Sequence, residues 1–138
     1  MKARDATHND RDSIKQLYKD NSKNIGSFNL FWSWDKYIAK TAPHKFVVVE
    51  YDKEILGFVR WGVSKKEKCF VLHEIAVKND IKQRGVGRML FDQIPKPIML
   101  KCRCDNKAGN SFYKAMGMTI AGKTRTKKGV DHYKWWIT

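Results

Sequence analysis

Residues 81–90 read IKQRGVGRML. Gly85 and Gly87 stand one residue apart, with Lys82, Gln83, Arg84 and Arg88 around them and an apolar run behind. Bare backbone beside positive charge is what a phosphate group requires. The first N–H groups of a helix lack partners, and the helix dipole favours an anion there. Glycine removes the Cβ atoms that would hold such a group away, and arginine and lysine add charge-assisted hydrogen bonds. Two familiar phosphate motifs are excluded. The Walker loop lacks its Gly-Lys-Ser/Thr end, and the dinucleotide fingerprint lacks its third glycine, whose place Leu90 takes. What remains is a strand–turn–helix whose exposed N–H groups face a pyrophosphate.

The segment before it, CFVLHEIAV, is apolar yet carries His73 and Glu74. A glutamate inside such a run is costly unless it is paired or used. Imidazole titrates in the range that acid–base work requires. Alternation along a strand puts the two on opposite faces, so only one of them is expected to serve. The three cysteines, Cys69, Cys102 and Cys104, have no second ligand cluster at metal spacing, so neither a metal nor a disulfide framework is expected.

These residues need elements to hold them. KARDAT predicts a short first strand. NDRDSIKQLYKDN predicts a helix with Ile14, Leu17 and Tyr18 at helical spacing, and FNLFWSWDKYIAK a second, with Leu30, Trp34, Tyr37 and Ile38 packing. Pro43 closes that zone. KFVVVEYDKEILGFVRWGV reads as a hairpin turning at DKE, and CFVLHEIAV as a central strand. A helix from about Gly85 to Ile94, the strand IMLKCRC, the helix NKAGNSFYKAMGM ending at Gly117, and a last hairpin turning at KKGVD complete the chain. The order β, α, α, β, β, β, α, β, α, β, β predicts an α/β (α+β) class: one domain over residues 1–138, with a mixed, mostly antiparallel sheet of about six to seven strands and helices on both faces. The glycine turn then falls inside a central β–α–β unit, where such sheets bind ligands.

IAVKNDIKQRGVGRML resembles the acetyl-coenzyme A motif of the GNAT N-acetyltransferases: Arg or Gln, two residues, Gly, any residue, Gly or Ala, after a strand ending much like IAV. Gly85 and Gly87 fall on the small positions, and Lys82 stands where Arg or Gln is usual, keeping the charge without the planar fork. NKAGNSFYKAMGM resembles the family's later helix, with Asn106, Tyr113, Gly117 and Met118 on its motif positions. The resemblance implies an acetyl-CoA-dependent N-acetyltransferase with the GNAT fold, in which a primary amine attacks the thioester directly in a ternary complex. It implies that Gln83, Arg84, Gly85, Val86, Gly87 and Arg88 hold the pyrophosphate, with Lys82 beside them. Ile75, Ala76 and Val77 pair their backbone with the pantetheine arm, and Asn106 contacts the cofactor, with Asn110 one helical turn on as a weaker candidate. Tyr113 protonates the departing thiolate, since a phenol with pKa near ~10 stays protonated at neutral pH. Glu74 is the foremost candidate base, with His73, Asp105 or a water chain as alternatives; Lys101 stands where some members carry a glutamate.

The acceptor is not named by any motif. Phe28, Phe31 and Trp32 are left for a pocket or its rim. With 28 basic and 14 acidic residues the net charge is +14, more than coenzyme A phosphates would engage. That surplus points to an acceptor on nucleic acid, another polyanion or an acidic protein. A non-catalytic nucleic-acid-binding module of the same fold would keep the charge, but would have no use for the glycine turn. No apolar run reaches the ~18 to 20 residues of a membrane helix, and the N-terminus lacks a signal-peptide core, so a cytoplasmic protein off the membrane is expected. HYKWWIT either finishes the sheet or pairs across a dimer, leaving monomer and homodimer both open.

Overall fold

The computed structural model describes residues 1–21, 30–40, 44–81 and 85–138, the side chains at 30–32 and 81 excepted. Among the described residues seven strands and four α-helices follow in the order β1 (Lys2–Asp5), α1 (Arg11–Asp20), α2 (Leu30–Ala39), β2 (Lys45–Tyr51), β3 (Glu54–Ser64), β4 (Cys69–Val77), α3 (Val86–Phe91), β5 (Ile98–Arg103), α4 (Lys107–Ala115), β6 (Thr119–Arg125) and β7 (Asp131–Ile137). The strands form one sheet in the order β1-β2-β3-β4-β5-β7-β6. Every neighbouring pair is antiparallel except β4 with β5. The last strand turns back between β5 and β6, which settles its place: it completes the sheet within the chain.

Two apolar clusters sandwich this sheet. Under α1 and α2 lie Ile14, Leu17, Trp34, Phe46, Val48, Phe58 and Ala76. On the other face Val86, Leu90 and Phe91 of α3 and Tyr113 of α4 pack with Val47, Val59, Leu72, Leu100 and Trp135. Phe46 and Phe58 are wholly buried, and each contributes roughly 1.5–3 kcal/mol by leaving water. One expected core residue is outside: Ile38 is exposed, because α2 turns Ser33 and Trp34 to the sheet and rests on Tyr37, whose hydroxyl donates to the Ala6 carbonyl (2.7 Å). Asn106 caps α4, its side-chain oxygen accepting from the Gly109 N–H (2.9 Å), which is why the chain turns into a helix there.

Candidate active site

The site begins where β4 and β5 part. Only Phe70↔Ile98 and Val71↔Met99 are paired between them. Along residues 72–77 the β5-side edge of β4 has no strand partner among the described residues. Unpaired backbone N–H and C=O groups demand partners, so this edge is ready to receive an extended chain. The opening is a cleft of about 680 Å³. Ile75, Ala76 and Val77 form one wall, Gly85, Gly87 and Arg88 one end, and α4 the other wall through Asn106, Ala108, Ser111, Phe112, Tyr113, Ala115 and Met116. Asn21, at the end of α1, also reaches it and donates to the Leu17 carbonyl (2.8 Å).

Gly85 has φ +82 and nothing near the place of a Cβ, so its requirement is the left-handed backbone at the start of α3. Gly87 answers to a different constraint. A Cβ there would lie 2.8 Å from Cε1 of Phe112, so its bareness lets the first turn of α3 close onto α4. Val86 points inward and is fully buried, leaving its backbone as its contribution to the turn. Lys82, Gln83 and Arg84 lie outside the described residues, as does Phe28; so do the side chains of Phe31 and Trp32.

Tyr113 is buried at the cleft wall against Phe112 (ring centroids 5.4 Å) and Trp135 (6.4 Å). Burial raises its phenol above the ordinary value, and Cys102 and Glu74 add to this, so it is a protonated donor at neutral pH. Asn106 faces the cleft while capping α4. Asn110 is turned elsewhere. Its amide donates to the Arg103 carbonyl (3.0 Å), and its oxygen accepts from the Trp135 indole N–H (2.9 Å), so it ties α4 to β5 and β7. Asp105 is exposed and paired with Arg103 (2.9 Å), which holds its carboxyl below the usual range.

Glu74 differs from the sequence expectation in its surroundings. Arg60 of β3 grips it with two of its three nitrogens, Nε to Oε2 at 2.5 Å and Nη2 to Oε1 at 3.0 Å, with both side chains buried. Burial pushes the carboxyl up and the guanidinium pulls it back. Burial wins and the carboxyl stands above its ordinary value, while both oxygens accept from Arg60, so a proton arriving at Glu74 competes with that pair. Arg60 also donates to Ser33 Oγ (3.3 Å) and lies 3.1 Å from His44 Nδ1.

The expectation that His73 and Glu74 face opposite sides is overturned. Arg60 pairs with Glu74 and Trp61 with Leu72, so His73 is an extra residue in β4, a bulge. Leu72 consequently packs under α3 while Ala76 packs under α1 and α2. His73 and Glu74 come to the same face, with the His73 and His44 rings 6.1 Å apart. Desolvation by its neighbours, then the Arg60 charge and His44, lower the His73 imidazole to about 4, although the residue is exposed. His44, without a motif of its own, joins this cluster and is lowered by burial, then by the Arg60 and Lys36 charges. Arg60 was the missed signal: an arginine in the middle of ILGFVRWGV requires a partner, and Glu74 on the next strand is that partner.

A mixed sheet forked at one parallel pair, with an apolar cleft along a free strand edge and a glycine turn at its end, defines a transferase that holds an extended coenzyme arm. Residues 11–118 match the model of the acetyltransferase (GNAT) family. The chain is 30% identical over 96 residues, 64% of its length and 67% of the relative's, to the 5-NmdU N-acetyltransferase of Pseudomonas phage PaMx11. Its fold matches a protein of Bacillus anthracis assigned as a streptothricin acetyltransferase and crystallised with acetyl coenzyme A, with TM-score 0.78, 18% identity, and 99% and 98% of the two chains covered. Ard1 of Thermoplasma volcanium matches with TM-score 0.78, 18% identity, and 99% and 95% covered. The chain belongs to the GNAT family, and it is an acetyl-CoA-dependent N-acetyltransferase.

Proposed function

We propose that this enzyme acetylates a primary amine carried by nucleic acid, and that DNA bearing 5-NmdU is the first acceptor to test. The observation that carries this is the 30% identity with the phage 5-NmdU N-acetyltransferase. The net charge of +14 supports it, because a polyanionic acceptor is drawn to such a field. Acetyl-CoA supplies the activated acetyl thioester. The cleft fits an extended acyl carrier: it is mostly apolar in lining, long enough to follow three residues of strand edge, and ends at a glycine turn beside Arg88. In this reading the backbone of Ile75, Ala76 and Val77 pairs with the arm, residues 82–88 hold the phosphates, and Asn106 orients the arm from α4.

The acceptor amine enters from the face of the exposed His73, gives its proton to water there, and bonds through its nitrogen to the acetyl carbon. Tyr113 gives its proton to the departing sulfur, so the broken C–S bond leaves a neutral thiol. Arg60 and Glu74 hold the bulge that shapes this mouth. The test is incubation with acetyl-CoA and duplexes differing only in 5-NmdU or thymidine, followed by mass measurement of the released nucleosides. Acetylated 5-NmdU supports the reading. No acetylated nucleoside from DNA or tRNA, with acetyl transfer to a peptide amine in the same assay, overturns the nucleic-acid acceptor and leaves the transferase intact.

A further inference from the structure

The sheet is covered unevenly. On the face of α1 and α2 the packed strands are β2, β3 and β4, and the cluster beneath those helices contains no residue of β5, β6 or β7 among the described residues. Among the described residues no helix packs on the outer half of that face. Register shows which side chains stand on it. Ile98, Leu100 and Cys102 of β5 are buried under the other face, so Met99, Lys101 and Arg103 point to the open one. Their partners on β7 are Trp136, Lys134 and His132. Val71 pairs with Met99, so His73 and Lys101, each two residues further on, stand on the two lips of the fork.

This face is basic along its length. Lys134 reaches Glu67 (2.9 Å) in the turn after β3, which brings Lys65, Lys66 and Lys68 to one end. Lys134, Lys66 and Lys101 together depress the Glu67 carboxyl, which marks them as neighbours. At the other end the β6–β7 turn carries Lys127 and Lys128. Lys101 and Arg103 are exposed, the latter by 53% of its side chain. Glu67 and Asp105 lie among these cations and are each paired with one, leaving a clear positive excess. Six residues of β5 at about 3.3 Å each span ~20 Å, a length that faces several phosphates of one strand.

We propose that this open face of β5, β7 and β6 is where the nucleic acid docks, with Lys101, Arg103 and Lys134 on phosphates and Trp136 offering a ring on which a base stacks. The proposal rests on the nucleic-acid acceptor reading and adds the surface. Its consequence is directional: a strand lying along Lys134, Lys101 and Arg103 runs past the mouth at His73, so a base amine turned out of the strand enters the fork from the side opposite α3.

The test uses the full chain and unmodified labelled oligonucleotides, single-stranded and duplex, with binding followed by anisotropy across a salt series. The triple variant Lys101→Ala, Arg103→Ala, Lys134→Ala is compared with a charge-matched control, Lys19→Ala, Lys53→Ala, Lys96→Ala. Both are checked for wild-type circular dichroism and acetyl-CoA affinity. The sheet-face triple should weaken binding by ~10-fold or more and lower the slope of log K against log salt by about 2 to 3, the control far less. Equal loss in both triples overturns the assigned surface and leaves the acceptor reading standing. Absence of DNA binding by the wild type overturns both. A measurement on unaltered protein runs beside it: labelling with an amine-reactive ester should show Lys101 and Lys134 protected by DNA and Lys19 and Lys53 not. Protection that depends on protein concentration without DNA would assign the face to a second copy of the chain and overturn the proposal.

Discussion

Replacing Glu74 by glutamine removes one charge from a pair whose side chains are 3% and 5% exposed. Arg60 is then left as a buried cation facing a neutral amide. The attraction is lost while the desolvation of Arg60 remains, and breaking a buried pair in this way costs about 3–5 kcal/mol. For a domain of this size that corresponds to a Tm lowered by roughly 10–20 °C. Arg60→Met should cost a similar amount, leaving Glu74 buried without a partner. The double variant Arg60→Met, Glu74→Leu should recover most of it, ending within about 1–2 kcal/mol of wild type. The remainder is the loss of the Arg60 hydrogen bond to Ser33 and its contact with His44. Urea unfolding of wild type, Arg60→Met, Glu74→Leu and the double variant gives the coupling directly, expected at roughly 3 kcal/mol or more. The reasoning is refuted if Glu74→Gln unfolds within about 1 kcal/mol of wild type while kcat/KM collapses and loses its acid limb. Glu74 would then be a free base, with Arg60 held by something else.

Tyr113→Phe should lower kcat by roughly 100-fold or more with acetyl-CoA affinity unchanged, and the loss should shrink for acyl donors with more acidic thiols; an unchanged kcat would remove Tyr113 as the acid. Gly87→Ala should destabilise by about 1–2 kcal/mol, overpacking against Phe112 outweighing the gain in helix propensity, and Phe112→Leu should relieve it; cofactor affinity lost at full stability would assign Gly87 to the phosphates instead. His73 binds a proton more readily unfolded, near ~6.5, than folded, near about 4, so this group's share of stability falls as pH drops through that window. Thermal melts of His73→Gln should therefore lose less stability than wild type between neutral and acid pH; parallel losses would show that the ring is fully solvated.

Most elements were legible because their patterns are local. The turns at DKE and KKGVD, period-two burial in β5 and helical spacing in α1 and α4 all act over a few residues. The order of the last three strands was not local. HYKWWIT reads equally well as an edge or an interior strand, and only its full pairing with β5 decides between them. Gly87 was singled out for its closeness to a phosphate, yet the atom nearest its missing Cβ belongs to Phe112, on a helix far along the chain. The small residues of α4 at the cleft, Ala108, Ser111 and Ala115, recur at helical spacing and could have been read from NKAGNSFYKA. The bulge could not. It exists only in the register between β3 and β4, and an apolar strand with one extra residue has the same composition as one without.

That bulge links the two halves of the site. Added twist at an extra residue bends a strand away from its neighbour, and here β4 leaves β5 immediately beyond Val71, two residues before His73. β5 does not lose its own partners by this, because β7 follows it from Ile98 to Arg103. The unpaired edge therefore falls on β4 alone, along the cleft, where an extended arm can complete it. The same residue that opens the edge also turns His73 and Glu74 toward the face on which Lys101 and Arg103 stand. In the proposed function, one inserted position thus sets where the coenzyme arm is held and from which side an acceptor reaches it. The charge of the outer strands makes that side the basic one.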